Sequence, residues 1–175
     1  SFAKCKEHDL SCYYIMSLNH VVREQPVTVA HLIDYDVVDA CGEAILTNAE
    51  YLVLPWIPHI NNRAGRQDLE ELTRTNAVLR KLNEQDRLLW YNHSLTRKRG
   101  RNPPVVRVRL FSAEAALNLL AQAGVRRIRS LGVDGGAAYS QEFGDLKDET
   151  LLANGRKSFD RQFEEIARTI ALTGV

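Results

Sequence analysis

Apolar and polar positions along the chain follow two rhythms, and their boundaries predict an alternation of strands and helices. Compact apolar runs at Ser11–Ser17 (SCYYIMS) and Val27–Asp34 (VTVAHLID) predict buried strands. From Val37 to Asn48 the spacing changes, and Val37, Val38, Cys41, Ala44 and Ile45 share one face of a helix. Tyr51–Leu54 predicts a short strand stopped by Pro55, and the Pro, Asn and Gly of PWIPHINNRAGRQ predict a loop after it. Asp68 opens a helix to about Gln85, with Leu69, Leu72, Val78, Leu79 and Leu82 apolar. Arg87–Tyr91 predicts a strand, SLTRKRGRNPP a basic loop, and Val105–Leu110 another strand. Ser112 suits the N-cap of a helix over Ala113–Ala123 that ends at Gly124. Arg126–Val133 (RRIRSLGV) predicts a further strand, turned by Asp134-Gly135-Gly136. Helices over Asp148–Ala153 and Ser158–Thr173 follow, and Phe2–His8 reads as the end of a helix.

Strands separated by helices predict an α/β fold, a three-layer, Rossmann-like arrangement whose mainly parallel sheet has helices on both faces. Its 175 residues fit a single domain over 1–175. In such sheets ligands bind beyond the carboxyl ends of the strands. That rule selects Asn19, Asp34, Pro55, Asn92, Ser112 and Asp134.

Composition narrows the functional classes. Apolar residues at 45% and charged residues at 26% are those of an ordinary globular protein, against a disordered or fibrous one. No run of about 18 apolar residues offers a membrane span, and the charged start SFAKCKEHDL lacks an apolar signal core. Cys5, Cys12 and Cys41 are odd in number and scattered, as expected of reduced thiols in a cytoplasmic protein. Lys plus Arg is 23 and Asp plus Glu is 22, yet Arg87–Val133 holds ten basic residues and only Glu114 as an acid. That stretch is poised for an anion or forms a solvated basic face. Aromatic residues are not interleaved with it and the remainder is acidic, so nucleic acid is not the expected partner.

Several residues carry candidate chemistry. Ser112 would present a hydroxyl and free backbone N–H groups at a helix start, which suits a phosphate or simply caps the helix. Asp134 before two glycines could accept ribose hydroxyls, or make a tight turn. Tyr139 could close over a base or a phosphate, or pack on the sheet. The five histidines show no metal-binding spacing. His31 reads as structural, while His20, His59 and His93 are acid–base candidates, with His20 and His59 the best guesses for a base. Asp34 and Asp36 could hold a divalent cation or cap the helix after them. GxGxxG and GxxxxGK[ST] are both absent.

The segment from Ser112 and Ala113 through Gly124, Val125, Arg126, Ile128, Gly132 and Asp134 resembles a group of Rossmann-like bacterial proteins. The group includes Campylobacter-type sialyltransferases, motility accessory factor glycosyltransferases and hydroxymethylpterin diphosphokinase-like proteins. Upstream, SLNHVVREQPVTVAHLIDYDVV looks like the group's earlier strands ending in Asn19 and Asp34. The resemblance implies that Asn19, Ser112, Asp134, Gly135 and Tyr139 line a nucleotide pocket, often for a cytidine monophosphate sugar. It implies no metal and no other cofactor. Two features depart from the group. No glycine-rich phosphate loop precedes Ser11, and Asn154, Gly155, Arg156 and Lys157 stand where the sialyltransferases place a basic His. The chain opens on Ser, which fits an N-terminally truncated domain with that loop upstream, or the loop has been lost.

The expected function is therefore that of a glycosyltransferase-like protein binding a nucleotide sugar. Arg97, Lys98, Arg99 and Arg101 would neutralise the donor phosphates. Two alternatives stand beside it: a non-catalytic nucleotide-binding or interaction module, and a pyrophosphokinase-like enzyme with Mg²⁺ on carboxylates such as Asp34 and Asp134. A homo-oligomer is left open.

Overall fold

The computed structural model describes residues 2–60, 63–102, 104–109, 111–137, 139–146 and 159–175. The expected helix over Asp148–Ala153, and Asn154, Gly155, Arg156, Lys157 and Ser158, lie outside the described residues. The protein is α/β, with a mainly parallel, curled sheet and helices around it, consistent with a Rossmann-like fold. The chain divides into two compact units: Tyr13–Val108, and residues 1–12 together with 109–175.

The first unit carries the sheet. Its strands are β1 (Met16–Leu18), β2 (Val27–His31), β3 (Ala49–Pro55), β6 (Leu88–His93) and β7 (Val105–Val106), all parallel and ordered β1-β2-β3-β6-β7. A small antiparallel pair, β4 (His59–Ile60) and β5 (Arg63–Ala64), lies inside the segment expected to be loop. The crossovers carry a 3-10 helix (Asn19–Arg23) and α1 (Tyr35–Asn48), then α2 (Leu69–Thr75) and α3 (Ala77–Glu84). The helix expected from Asp68 to Gln85 breaks at Asn76, which ends α2 and caps α3 by accepting the Leu79 N–H. Asp68 and Glu71 form a reciprocal capping box at the start of α2.

Register sorts the side chains, because residues paired across parallel strands share a face. Ala30, Leu52 and Leu88 are in one row, and with Leu32 and Leu54 they join Val38, Cys41 and Ile45 of α1. Leu69 and Leu72 of α2 and Leu79 and Leu82 of α3 complete this core. The alternate row carries His31, Val53, Tyr91, His93 and Val106, also buried. A parallel sheet covered on both faces has this pattern. Strand order follows chain order, so the carboxyl ends of these strands form one uninterrupted rim.

The second unit is helical among its described residues: a 3-10 helix (Phe2–Glu7), α4 (Ser112–Gln122), a kinked 3-10 segment (Gln141–Leu146) and α5 (Arg161–Thr173). Arg109 ties the two longer helices together. Its backbone N–H donates to buried Glu114 at 2.8 Å and its guanidinium meets buried Glu165 at 3.3 Å. The strand expected over Arg126–Val133 does not form; the segment is irregular and largely exposed. No helix among the described residues is long and apolar enough to cross a membrane.

Candidate functional site at the carboxyl edge of the sheet

Chain reversals after β2 and β3 bring two segments side by side at the rim. Asp34, three residues beyond β2, forms a parallel backbone bridge with His59, and the His59 N–H donates to the Ile33 carbonyl at 2.8 Å. The third participant comes from the end of β6. His93 is 4% exposed, and its ring lies 5.6 Å from that of His59.

Burial, and then the neighbouring His93, lowers the pKa of His59; burial lowers that of His93. Both imidazoles are therefore neutral near pH 7. The tautomer of His93 is set by its surroundings. Its Nδ1 accepts the Leu95 N–H at 3.1 Å, so the neutral ring carries its proton on Nε2. Deeper in the same row, the fully buried His31 stacks on Tyr91 at 5.7 Å, with Nε2 and the phenol oxygen 3.2 Å apart. Burial lowers the His31 pKa to about 4. Burial, and then the Asp34 charge, raise that of Tyr91.

The basic loop leaves the sheet at the end of the same strand. Asn92, expected just after β6, is inside it, and its side chain clamps the loop. The amide donates to the Gly100 carbonyl at 3.2 Å and accepts the Gly100 N–H at 2.8 Å. Gly100 lies against the Trp56 indole so closely that a Cβ would sit 2.7 Å from the ring. Lys98 is committed elsewhere than expected. It binds the Asp68 carboxylate at 2.6 Å, which raises its pKa. Burial raises the Asp68 pKa, but the Lys98 hydrogen bond and the Glu71 N–H outweigh it and the net shift is down. Arg97, Arg99 and Arg101 are exposed.

The other residues singled out from sequence fall in two places. Asn19, His20 and Asp36 belong to the sheet unit. Asn19 follows β1 with a positive φ of 50°, which Asn tolerates, and His20 is half-buried in the same 3-10 helix. Asp34 occupies the N-cap position of α1 without a capping side-chain bond, and Asp36 is exposed in its first turn. Among the described residues, no group of three His, Cys, Asp or Glu is arranged to hold a metal ion.

Ser112, Asp134, Gly135 and Tyr139 belong to the helical unit. Ser112 is the first residue of α4, with Phe111 as the N-cap. Asp134 is exposed and ends no strand. Its carbonyl accepts from Gln162 at 2.6 Å, and the Gly136 N–H donates to Asp160 at 2.8 Å. The double-glycine turn is thereby fastened to the start of α5. A Cβ on Gly135 would collide with the Asp160 carboxylate and Phe163. Tyr139 packs edge-on against Phe159, ring centres 5.3 Å apart.

Sequence reasoning missed the pairing of His59 with His93. The strand was expected to stop at Tyr91, which left His93 in a loop; β6 runs on and buries it. Comparison with known proteins finds no family model that matches the chain, and no significant match among curated proteins or solved structures.

Proposed function

We propose that the sheet unit carries an acid–base site for group transfer from a phosphate-activated donor, in a glycosyltransferase-like protein that binds a nucleotide sugar. The observation that carries this reading is the facing pair His59 and His93, held neutral at the carboxyl rim beside the clamped arginine loop. Arg97, Arg99 and Arg101 supply charge for a donor diphosphate. The neutral His59 imidazole takes the proton of the acceptor hydroxyl, since the Nδ1 lone pair of His93 is held by the Leu95 N–H. The freed oxygen attacks the activated carbon, and the bond to phosphate breaks with its electron pair leaving on the nucleotide.

A thermal-shift screen of nucleotides and nucleotide sugars, with and without Mg²⁺, tests the binding half, since a ligand of the native state raises the melting temperature. Donor turnover by His59→Ala and His93→Ala tests the chemical half. Turnover is expected to fall by roughly 10²–10⁴-fold in at least one variant, with donor binding retained. Binding without any turnover in the unaltered protein assigns the non-catalytic module instead, and the absence of any nucleotide shift overturns both.

A further inference from the structure

Both tryptophans of the chain, Trp56 and Trp90, line one cavity of about 410 Å³ on the sheet unit. Their rings are 5.7 Å apart and tilted by 53°. Leu69 and Leu88 add apolar wall, while Glu70, Arg74, Arg80 and Asn83 bring polar groups. Trp90 alternates with Tyr91 along β6 and so faces the helices, away from the row that holds His93. The cleft therefore lies on the opposite face of the sheet from the histidines, and adjoins the basic loop through Trp56 and Gly100.

We propose that the corner formed by Trp56 and Trp90 against Arg74, Arg80 and Asn83 is a carbohydrate-binding cleft. The tilt of the rings leaves no parallel-walled slot for a flat base. It leaves an oblique apolar corner that accepts the C–H face of a pyranose. The polar groups match hydroxyls, which both donate and accept: guanidinium N–H groups donate, while Glu70 and Asn83 offer acceptor oxygens. Two bonds hold this set in place, Arg74 to Glu70 at 2.6 Å and Arg80 to the Arg74 carbonyl at 2.8 Å. Each guanidinium keeps further donors beyond that one bond. A cavity of this size is within the range of small-ligand pockets. The proposal stands whether or not His59 and His93 catalyse transfer.

Because the cleft holds both tryptophans, fluorescence under selective tryptophan excitation reports on it directly. The experiment titrates the full chain with neutral, N-acetylated and acidic methyl glycosides, and with free nucleosides as comparators. At least one glycoside class is expected to give a saturable change that nucleosides do not. Trp90→Ala, with Trp56 remaining as reporter, is expected to weaken binding by about tenfold or more, and Trp90→Phe by less. Trp90 is 36% exposed, so its truncation spares the core; circular dichroism checks this, and Arg80→Ala gives the same decision if Trp90→Ala does not fold. No saturable change with any glycoside, saturation by nucleosides alone, or undiminished binding in the folded variants overturns the proposal. None of these readouts involves donor turnover, so this proposal and the transfer reading fail independently.

Discussion

His31 shows how one buried side chain makes stability depend on pH. It is fully buried in the sheet, its Nδ1 has no hydrogen-bond partner, and its pKa is about 4 in the folded chain against 6.5 for a free histidine. Between these values the unfolded chain binds a proton that the native one does not, so stability rises with pH across the window and is lost as pH falls through it. Below about pH 4 both states are protonated and this contribution changes no further. The displacement corresponds to about 3 kcal/mol. His31→Gln keeps a polar partner for Tyr91 without a titrating group. Its urea unfolding free energy is expected to fall less than that of the unaltered protein between neutral pH and pH 4. Equal slopes for the two proteins would remove His31 as the cause.

At the scale of elements, Asn92 joins β6 to the basic loop. Its side chain is 3% exposed and its two bonds reach both backbone groups of Gly100. Asn92→Ala removes both and is expected to cost about 1–3 kcal/mol. The loop should then open ahead of the sheet. Trypsin is expected to cut at Arg97, Lys98, Arg99 or Arg101 faster in this variant while circular dichroism stays unchanged, with Lys98→Ala adding to the effect by releasing Asp68. Cleavage at the unaltered rate would assign the loop's order to other contacts. The same elements show what the sequence made legible. Apolar runs and the 3.6-residue spacing located β2, α1, β6 and α4 to within a few residues, because each of them buries apolar side chains in the core. RRIRSLGV misled: its apolar residues alternate with three arginines that a doubly covered strand cannot bury, and in the structure those arginines are exposed. Asp134 was selected through that strand and lost its place at the sheet with it. His59 was legible as a candidate base. Its partner was not, since nothing local to either histidine encodes a meeting made by two crossovers.

At the scale of the molecule the chain forms one continuous and one discontinuous unit, and the discontinuous one needs both ends of the sequence. Phe2 packs edge-on against Phe143 at 5.2 Å, and a Cβ added at Gly132 would meet Phe2 at ordinary contact distance. The buried cluster under the helices of the sheet unit runs from Val22 to Leu88, with Ile15 packed against it, and among the described residues it includes none from the N-terminal 3-10 helix. Removing contacts made by Phe2 should therefore weaken α4 and α5 selectively. Phe2→Ala is expected to cost the helical unit about 1–2 kcal/mol, less than full burial of a Phe because Phe2 is only half-buried. Native-state hydrogen exchange resolves the two units, since local opening reports local stability. Amides of Ser112–Gln122 and Arg161–Thr173 should exchange faster in the variant, while those of β2, β3 and β6 keep their protection. Equal acceleration throughout would show that the units unfold as one, and acceleration confined to the strands would place the role of Phe2 in the sheet unit.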